Sequence, residues 1–94
     1  MDPITDEEDV KYYLGRLYFQ EQDYRKAIET YKEGLIINPQ SGIILYEIGL
    51  AYIKLKKYKK ALDYWERLSK IVSPHSFLGI KVKQKLDRKN SPFI

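Results

Sequence analysis

Apolar and polar positions in this chain alternate with the period of an α-helix, and they do so twice in the same order. Leu14, Leu17 and Tyr18 recur at three- and four-residue spacing, followed by Ala27, Ile28, Tyr31 and Leu35. Each set is one face of a helix. The stretch "YLGRLYFQEQDYRKAIETY" at 13–31 returns as "EIGLAYIKLKKYKKALDYW" at 47–65. Gly15 recurs as Gly49, Tyr18 as Tyr52, Tyr24 as Tyr58, Ala27 as Ala61 and Tyr31 as Trp65, every pair 34 residues apart. A fixed period of this length marks a stack of like helical units.

Local signals place the ends of the helices. Thr5 followed by Glu8 reads as a capping box, and Asp6, Glu7 and Glu8 suit the positive end of a helix dipole. This predicts a first helix running to about Gln20. Asp23 can cap a second, which should stop near Asn38 because Pro39 disfavours helical geometry in the residue before it. The second copy is expected over about 42–55 and 57–72. Ser73-Pro74 then reads as the cap and first turn of a last helix.

That last helix carries "LGIKV" at 78–82, a worn version of "LGRLY" at 14–18 and "IGLAY" at 48–52. Phe77, Leu78, Val82 and Leu86 are expected to cover the stack while Lys81, Lys85, Arg88 and Lys89 face water, as the end of a repeat array requires. Within each pair, Gly15 with Ala27 and Gly49 with Ala61 should let the two helices approach closely. Tyr18 and Tyr31, then Tyr52 and Trp65, would fill the space around them.

A 34-residue helix pair with Leu-Gly-x-x-Tyr, then Tyr-x-x-Ala-x-x-x-Tyr, then Pro resembles the tetratricopeptide repeat over roughly residues 8–74. The resemblance implies an all-α, right-handed α-α superhelix of five helices in one domain over 1–94. Its parts would be repeat 1 at 8–41, repeat 2 at 42–74, a capping helix at 75–90 and a tail at 91–94. Three departures stand out. Lys11 occupies a site where the family often has a large apolar residue, as Leu45 is in the second copy. Leu68 replaces the small residue that Gly34 keeps in the first, so the last helix should pack less closely or at another angle. The terminal Pro39 slips by one residue to Pro74.

Composition narrows the class. The 94 residues contain no Cys, 44% hydrophobic residues, nine Tyr, three Phe and one Trp, enough for a core without disulfide or thiolate-metal staples. No apolar run approaches a membrane span, and the acidic start "MDPITDEEDV" is unlike a signal peptide. A soluble cytoplasmic protein is the simplest expectation; an excised domain of a longer protein would look the same. The net charge of +4 conceals a polarity. Residues 1–41 carry nine Asp/Glu and five Lys/Arg, whereas residues 42–94 carry four and twelve. Such polarity bears on partners rather than on fold.

Tetratricopeptide repeats bind proteins through the inner face of each first helix, so the resemblance implies a groove. Carried over to this chain, its stripe is Tyr12, Arg16 and Phe19, then Tyr46, Leu50 and Ile53, flanked by Tyr13, Gln20, Glu47 and Lys54. The Lys and Asn clamp with which some members hold chaperone carboxylates is absent apart from Arg16. An aromatic and aliphatic stripe suits an amphipathic helix or apolar segment of a protein partner. The bland alternative is that Tyr12, Phe19 and Tyr46 pack on one another. This points to a small adaptor or accessory subunit of a larger assembly.

A second candidate is basic. "KLKKYKK" at 54–60 supplies Lys56, Lys57, Lys59 and Lys60, which with Lys81, Lys85 and Arg88 would form an anion-binding surface. The plainer reading is a solvated turn. Nucleic acid is disfavoured, since no RNA-binding signature accompanies the run, and an acidic protein surface fits better. One such surface is the acidic first helix of another copy, which makes a head-to-tail homo-oligomer the main rival. Catalysis, metal binding and cofactors are not expected. His75 is the only His, Glu7, Glu8 and Asp9 are explained by the helix dipole, and no phosphate loop or nucleophile motif occurs. The end "NSPFI" leaves Phe93 and Ile94 beyond a helix-stopping Pro92, either free or docked.

Overall fold

Each copy of the period folds as a helix hairpin. The computed structural model describes residues 6–87, and among them are five helices and no strand. These are α1 (Glu7–Gln20), α2 (Tyr24–Ile37), α3 (Gly42–Lys54), α4 (Tyr58–Ser69) and α5 (Phe77–Leu86). α1 packs on α2, α3 packs on α4, and the hairpins join through α2 against α3. α5 closes on α4 and α3, and α1 also reaches α3, whereas α2 and α4 make no close approach. The first helices of the pairs therefore share one side of the molecule. The second helices stand apart on the other, with α3 beneath the gap.

The turn within each hairpin repeats three backbone bonds. Glu21 N donates to Leu17 O at 3.1 Å, Gln22 N to Phe19 O at 2.9 Å and Asp23 N to Tyr18 O at 2.9 Å. One period on, Leu55 N donates to Ala51 O at 3.2 Å, Lys56 N to Ile53 O at 2.9 Å and Lys57 N to Tyr52 O at 2.9 Å. These bonds use carbonyls that a helix end would otherwise leave open. They require a left-handed residue, and Gln22 (φ 65°) and Lys56 (φ 61°) take that conformation although neither is glycine. Asp23 caps α2 by accepting from Lys26 N at 3.3 Å. Lys57 sits at the matching place and offers no side-chain cap.

Across each hairpin the glycine of the first helix meets an aromatic ring of the second. A Cβ built on Gly15 would stand 2.6 Å from Tyr31 Cδ1, and one on Gly49 2.7 Å from Trp65 Cδ1, both well inside van der Waals contact. Tyr31 and Trp65 are fully buried. Trp65 Nε1 donates to the Tyr46 carbonyl at 3.1 Å, so the only polar atom of the indole is satisfied. Ile44, Leu45, Ile48, Ala51 and Leu68 complete the buried centre.

Lys11 fills its apolar site with its stem. Its Cβ lies 3.3 Å from where a Gly34 Cβ would be, and its Nζ reaches Glu33 Oε1 at 2.7 Å. The chain of methylenes packs while the charge stays at the surface. Glu33 holds the Lys11 ammonium above its ordinary pKa, chiefly by that hydrogen bond. At the α4–α5 end, Leu68 is fully buried, and a pocket of about 250 Å³ remains between α4 and α5, lined by Val72, Pro74, Val82 and Leu86.

Four local expectations are corrected. α1 is capped by Asp6, whose Oδ1 accepts from Glu8 N at 3.0 Å; Thr5 lies outside the described residues. The Glu8 side chain instead accepts from Asn38 Nδ2 at 3.1 Å, tying the start of α1 to the end of α2. α4 ends at Ser69, earlier than Val72, and Ser73-Pro74 forms a turn rather than a cap. Ser76 caps α5, its Oγ accepting from Gly79 N at 3.0 Å. A Cβ on Gly79 would collide with the Ser73 carbonyl of that turn. Phe77 does not cover the stack and is 74% exposed. Leu78 and Val82, four apart, face the core, and Phe77 lies a helical step of about 100° away from Leu78. Arg88, Lys89 and the Phe93-Ile94 tail lie outside the described residues.

Candidate functional site

α1 and α3 position the expected groove. Tyr12, Phe19, Leu50 and Ile53 are half-buried and rest against the core with part of each side chain left open. The Tyr12 ring lies 5.1 Å from Tyr13, and the Arg16 guanidinium sits 5.7 Å over it while Nη1 donates to the Tyr12 hydroxyl at 3.5 Å. Phe19 meets Tyr24 edge to face at 5.1 Å. Tyr46 lends little surface: it is 8% exposed, its ring stacked 6.1 Å from Trp65. Lys54 is exposed in the last turn of α3.

A polar spot interrupts this row. Glu47 is half-buried, and burial pushes its carboxyl pKa up, partly opposed by the Arg16 charge. The buried Tyr31 hydroxyl has no hydrogen-bond partner among the described residues. Its pKa is raised mainly by burial and then by the Glu47 charge, with Arg16 acting the other way. Sequence reasoning placed Glu47 only at the flank and assigned Tyr31 wholly to packing. A buried aromatic opposite a glycine gives no sign of where its hydroxyl will point.

The basic residues divide differently from the order in which they occur along the chain. Two adjoining pockets, of about 300 and 260 Å³, lie in the gap between α2 and α4 and share Lys32, Tyr52 and Lys60. Arg25, Ile28 and Glu29 of α2 line the smaller of the two, and Asp63, Tyr64 and Arg67 of α4 the larger. Lys57 completes one end. Of the expected basic residues, only Lys57 and Lys60 line this cleft. Lys56 and Lys59 are exposed beside it in sequence. Lys81 and Lys85 lie on α5, their ammonium groups 5.3 Å over Phe77 and 6.0 Å over Trp65. Arg25, Lys32 and Arg67 were not singled out from sequence, because isolated cations on two separate helices carry no local signal.

The α1 flank opposite the hairpin exposes Val10, Tyr13 and Leu17, a stripe at i, i+3, i+7 beside the acidic first turn Glu7, Glu8 and Asp9. Among the described residues no helix is long and apolar enough to cross a membrane, and no group of three or more His, Cys, Asp or Glu could hold a metal ion.

Comparison with known proteins agrees with the hairpin geometry. The family model described as anaphase-promoting complex, cyclosome, subunit 3 matches residues 3–68. Tetratricopeptide repeat protein 21B of Xenopus laevis is 43% identical over 58 residues, covering 62% of this chain and 4% of that protein. The BBSome complex member BBS4 homolog of Drosophila melanogaster is 37% identical over 60 residues, 64% of this chain and 12% of its own length. Anaphase-promoting complex subunit 3 of Schizosaccharomyces pombe is 31% identical over 70 residues, 74% of this chain and 10% of its own. The chain thus spans only a small part of the relatives it matches. With its 34-residue period, its paired helices and this match over most of its length, the chain belongs to the anaphase-promoting complex subunit 3 family of tetratricopeptide repeat proteins.

Proposed function

We propose that this chain is a protein-protein interaction module that works within a larger assembly and takes a helix or apolar segment of its partner against α1 and α3. The observation that carries this reading is the half-buried row Tyr12, Phe19, Leu50 and Ile53, apolar surface fixed on two packed helices. Aromatic anchors of this kind contribute much of the energy of such contacts. Two relatives are named as members or subunits of complexes, which supports a role in assembly. The polar spot at Glu47 and Arg16 would set the register of the partner, since a bound segment must meet a half-buried carboxylate with a donor.

The test compares the tagged chain with its Tyr12→Gln, Leu50→Gln variant in a pull-down from the native host at about 0.3 M salt, where exposed ion pairs are largely screened. One polypeptide retained in near-equal amount by the parent and lost by the variant is the expected result. Trp65 fluorescence checks that both are folded. Equal retention by the variant overturns the groove assignment.

A second reading, self-association, is favoured by exposed apolar residues at both ends. Val10, Tyr13 and Leu17 on α1 lie next to acidic residues, and Phe77 and Ile80 on α5 lie next to Lys81 and Lys83. Head-to-tail contacts of this kind grow open filaments unless they close. A mass that rises with concentration at low salt is the expected sign; a constant monomer mass excludes it.

A further inference from the structure

We propose that the cleft between α2 and α4 is a binding site for a phosphate group carried on a protein segment, separate from the α1/α3 groove. Three observations meet there. The first is the shape: the cleft is an open recess, because α2 and α4 do not close on one another and Tyr52 of α3 forms the floor between them. The second is charge. Five cations line the two pockets against the carboxylates Glu29 and Asp63, a local excess of +3. The third is order, since two of the cations are held by aromatic rings. Lys60 Nζ sits 5.8 Å over Tyr52, Arg67 lies 5.3 Å over Tyr64, and the two rings stack at 5.6 Å.

The repeat explains why this arrangement occurs once among the described residues. Lys26 sits over Tyr18 at 5.7 Å just as Lys60 sits over Tyr52. Among the described residues, however, it is Tyr52 that has a preceding hairpin to supply an opposing wall. From that wall Lys32 faces Lys60 across the shared part of the two pockets. The Tyr52 hydroxyl beside Lys32 holds its ammonium above the ordinary pKa, so it stays charged. Two cations converging from opposite walls, with Arg25 and Lys57 at one end and Arg67 at the other, match a compact anion with several acceptor oxygens. A recess between two helices admits a single chain bearing such a group, whereas a bilayer surface meets only its rim.

The experiment uses amide NMR on the whole chain, titrated with a short glycine peptide carrying one phosphoserine, the same peptide unphosphorylated, and inorganic phosphate. Saturable shifts confined to the cleft with both phosphate-bearing probes, absent with the plain peptide, are expected. The Lys32→Ala, Lys60→Ala variant should weaken binding about tenfold or more, the loss of one charge-assisted bond corresponding to at least that factor. Lys81→Ala, Lys85→Ala should leave it unchanged. Binding should tighten as pH rises through about 6, where a phosphate monoester gains its second charge. The ionisable side chains lining the cleft are Arg, Lys and Tyr with Glu29 and Asp63, and no His is among them. Shifts spread over lysines of both faces, or equal shifts from chloride at matched ionic strength, would overturn the proposal. So would tighter binding to phosphoinositide vesicles than to the phosphopeptide.

Discussion

Replacing Gly49 with alanine tests the packing that joins α3 to α4. The added methyl would stand 2.7 Å from Trp65 Cδ1 and closer still to Nε1 and Cε2. The indole is fully buried and anchored to the Tyr46 carbonyl, so it cannot swing away without breaking that bond. Overpacking costs about 1–3 kcal/mol, and a buried N–H left without its partner about 1–3 kcal/mol more. Against this, alanine gains about 1 kcal/mol of helix propensity over glycine. The net expectation is a loss of about 1–5 kcal/mol. Typical stability for 94 residues is about 5–14 kcal/mol in total, so the loss is a large share. Urea unfolding followed by the fluorescence of Trp65, the single tryptophan, measures it directly. Gly34→Ala is the control. Its methyl would meet Ile44 Cδ1 at 2.7 Å, the mobile end of a side chain, and Lys11 Cβ at 3.3 Å. It should stay within about 1 kcal/mol of the parent. If the two variants agree to within about 0.5 kcal/mol, the clash at Trp65 is not what fixes this glycine.

Tyr31→Phe removes a buried hydroxyl that has no partner among the described residues; stability should hold or rise by up to about 1 kcal/mol, and a larger loss in the same urea assay would show that the hydroxyl is bonded. Glu47→Gln tests the burial of a carboxylate whose folded pKa lies above its unfolded value. Such a group favours the fold when protonated and loses that contribution as pH rises through the folded value, so the variant should be the more stable chain at pH 7. The gain should disappear below the ordinary carboxylate range of about 4.3; a difference independent of pH would refute the assignment. Lys56→Gly relieves a left-handed residue at φ 61° and should raise the thermal midpoint by a few degrees, corresponding to about 0.5–1 kcal/mol; a lowered midpoint would show that the turn is not strained.

The parts of this fold legible in the amino-acid order are those set by neighbours along the chain or one period away. Asp23 as a cap, Asn38 as a helix end and the close approach of paired helices at Gly15 and Gly49 follow from local chemistry and from a hairpin repeated in register. The Ser73-Pro74 reading failed because two plausible caps lie three residues apart, and only the packing of Gly79 against the Ser73 carbonyl selects Ser76. Gln22 and Lys56 take a conformation their side chains do not advertise, since the turn bonds to Tyr18 and Tyr52 outweigh the cost.

The candidate sites divide along the same line. The groove row lies within single helices at i, i+4, i+7, so periodicity alone groups Tyr12, Arg16 and Phe19 on one face. The cleft draws Arg25 and Lys32 from α2 and Lys60 and Arg67 from α4, residues that no period or motif links. Their meeting depends on how far apart two helices stand when α3 lies beneath them, and that spacing is set by packing across the whole stack. The sequence order alone names the repeat and its core, because those interactions are local or recur at a fixed step. Which charges face one another across α3 is a consequence of helix placement in three dimensions.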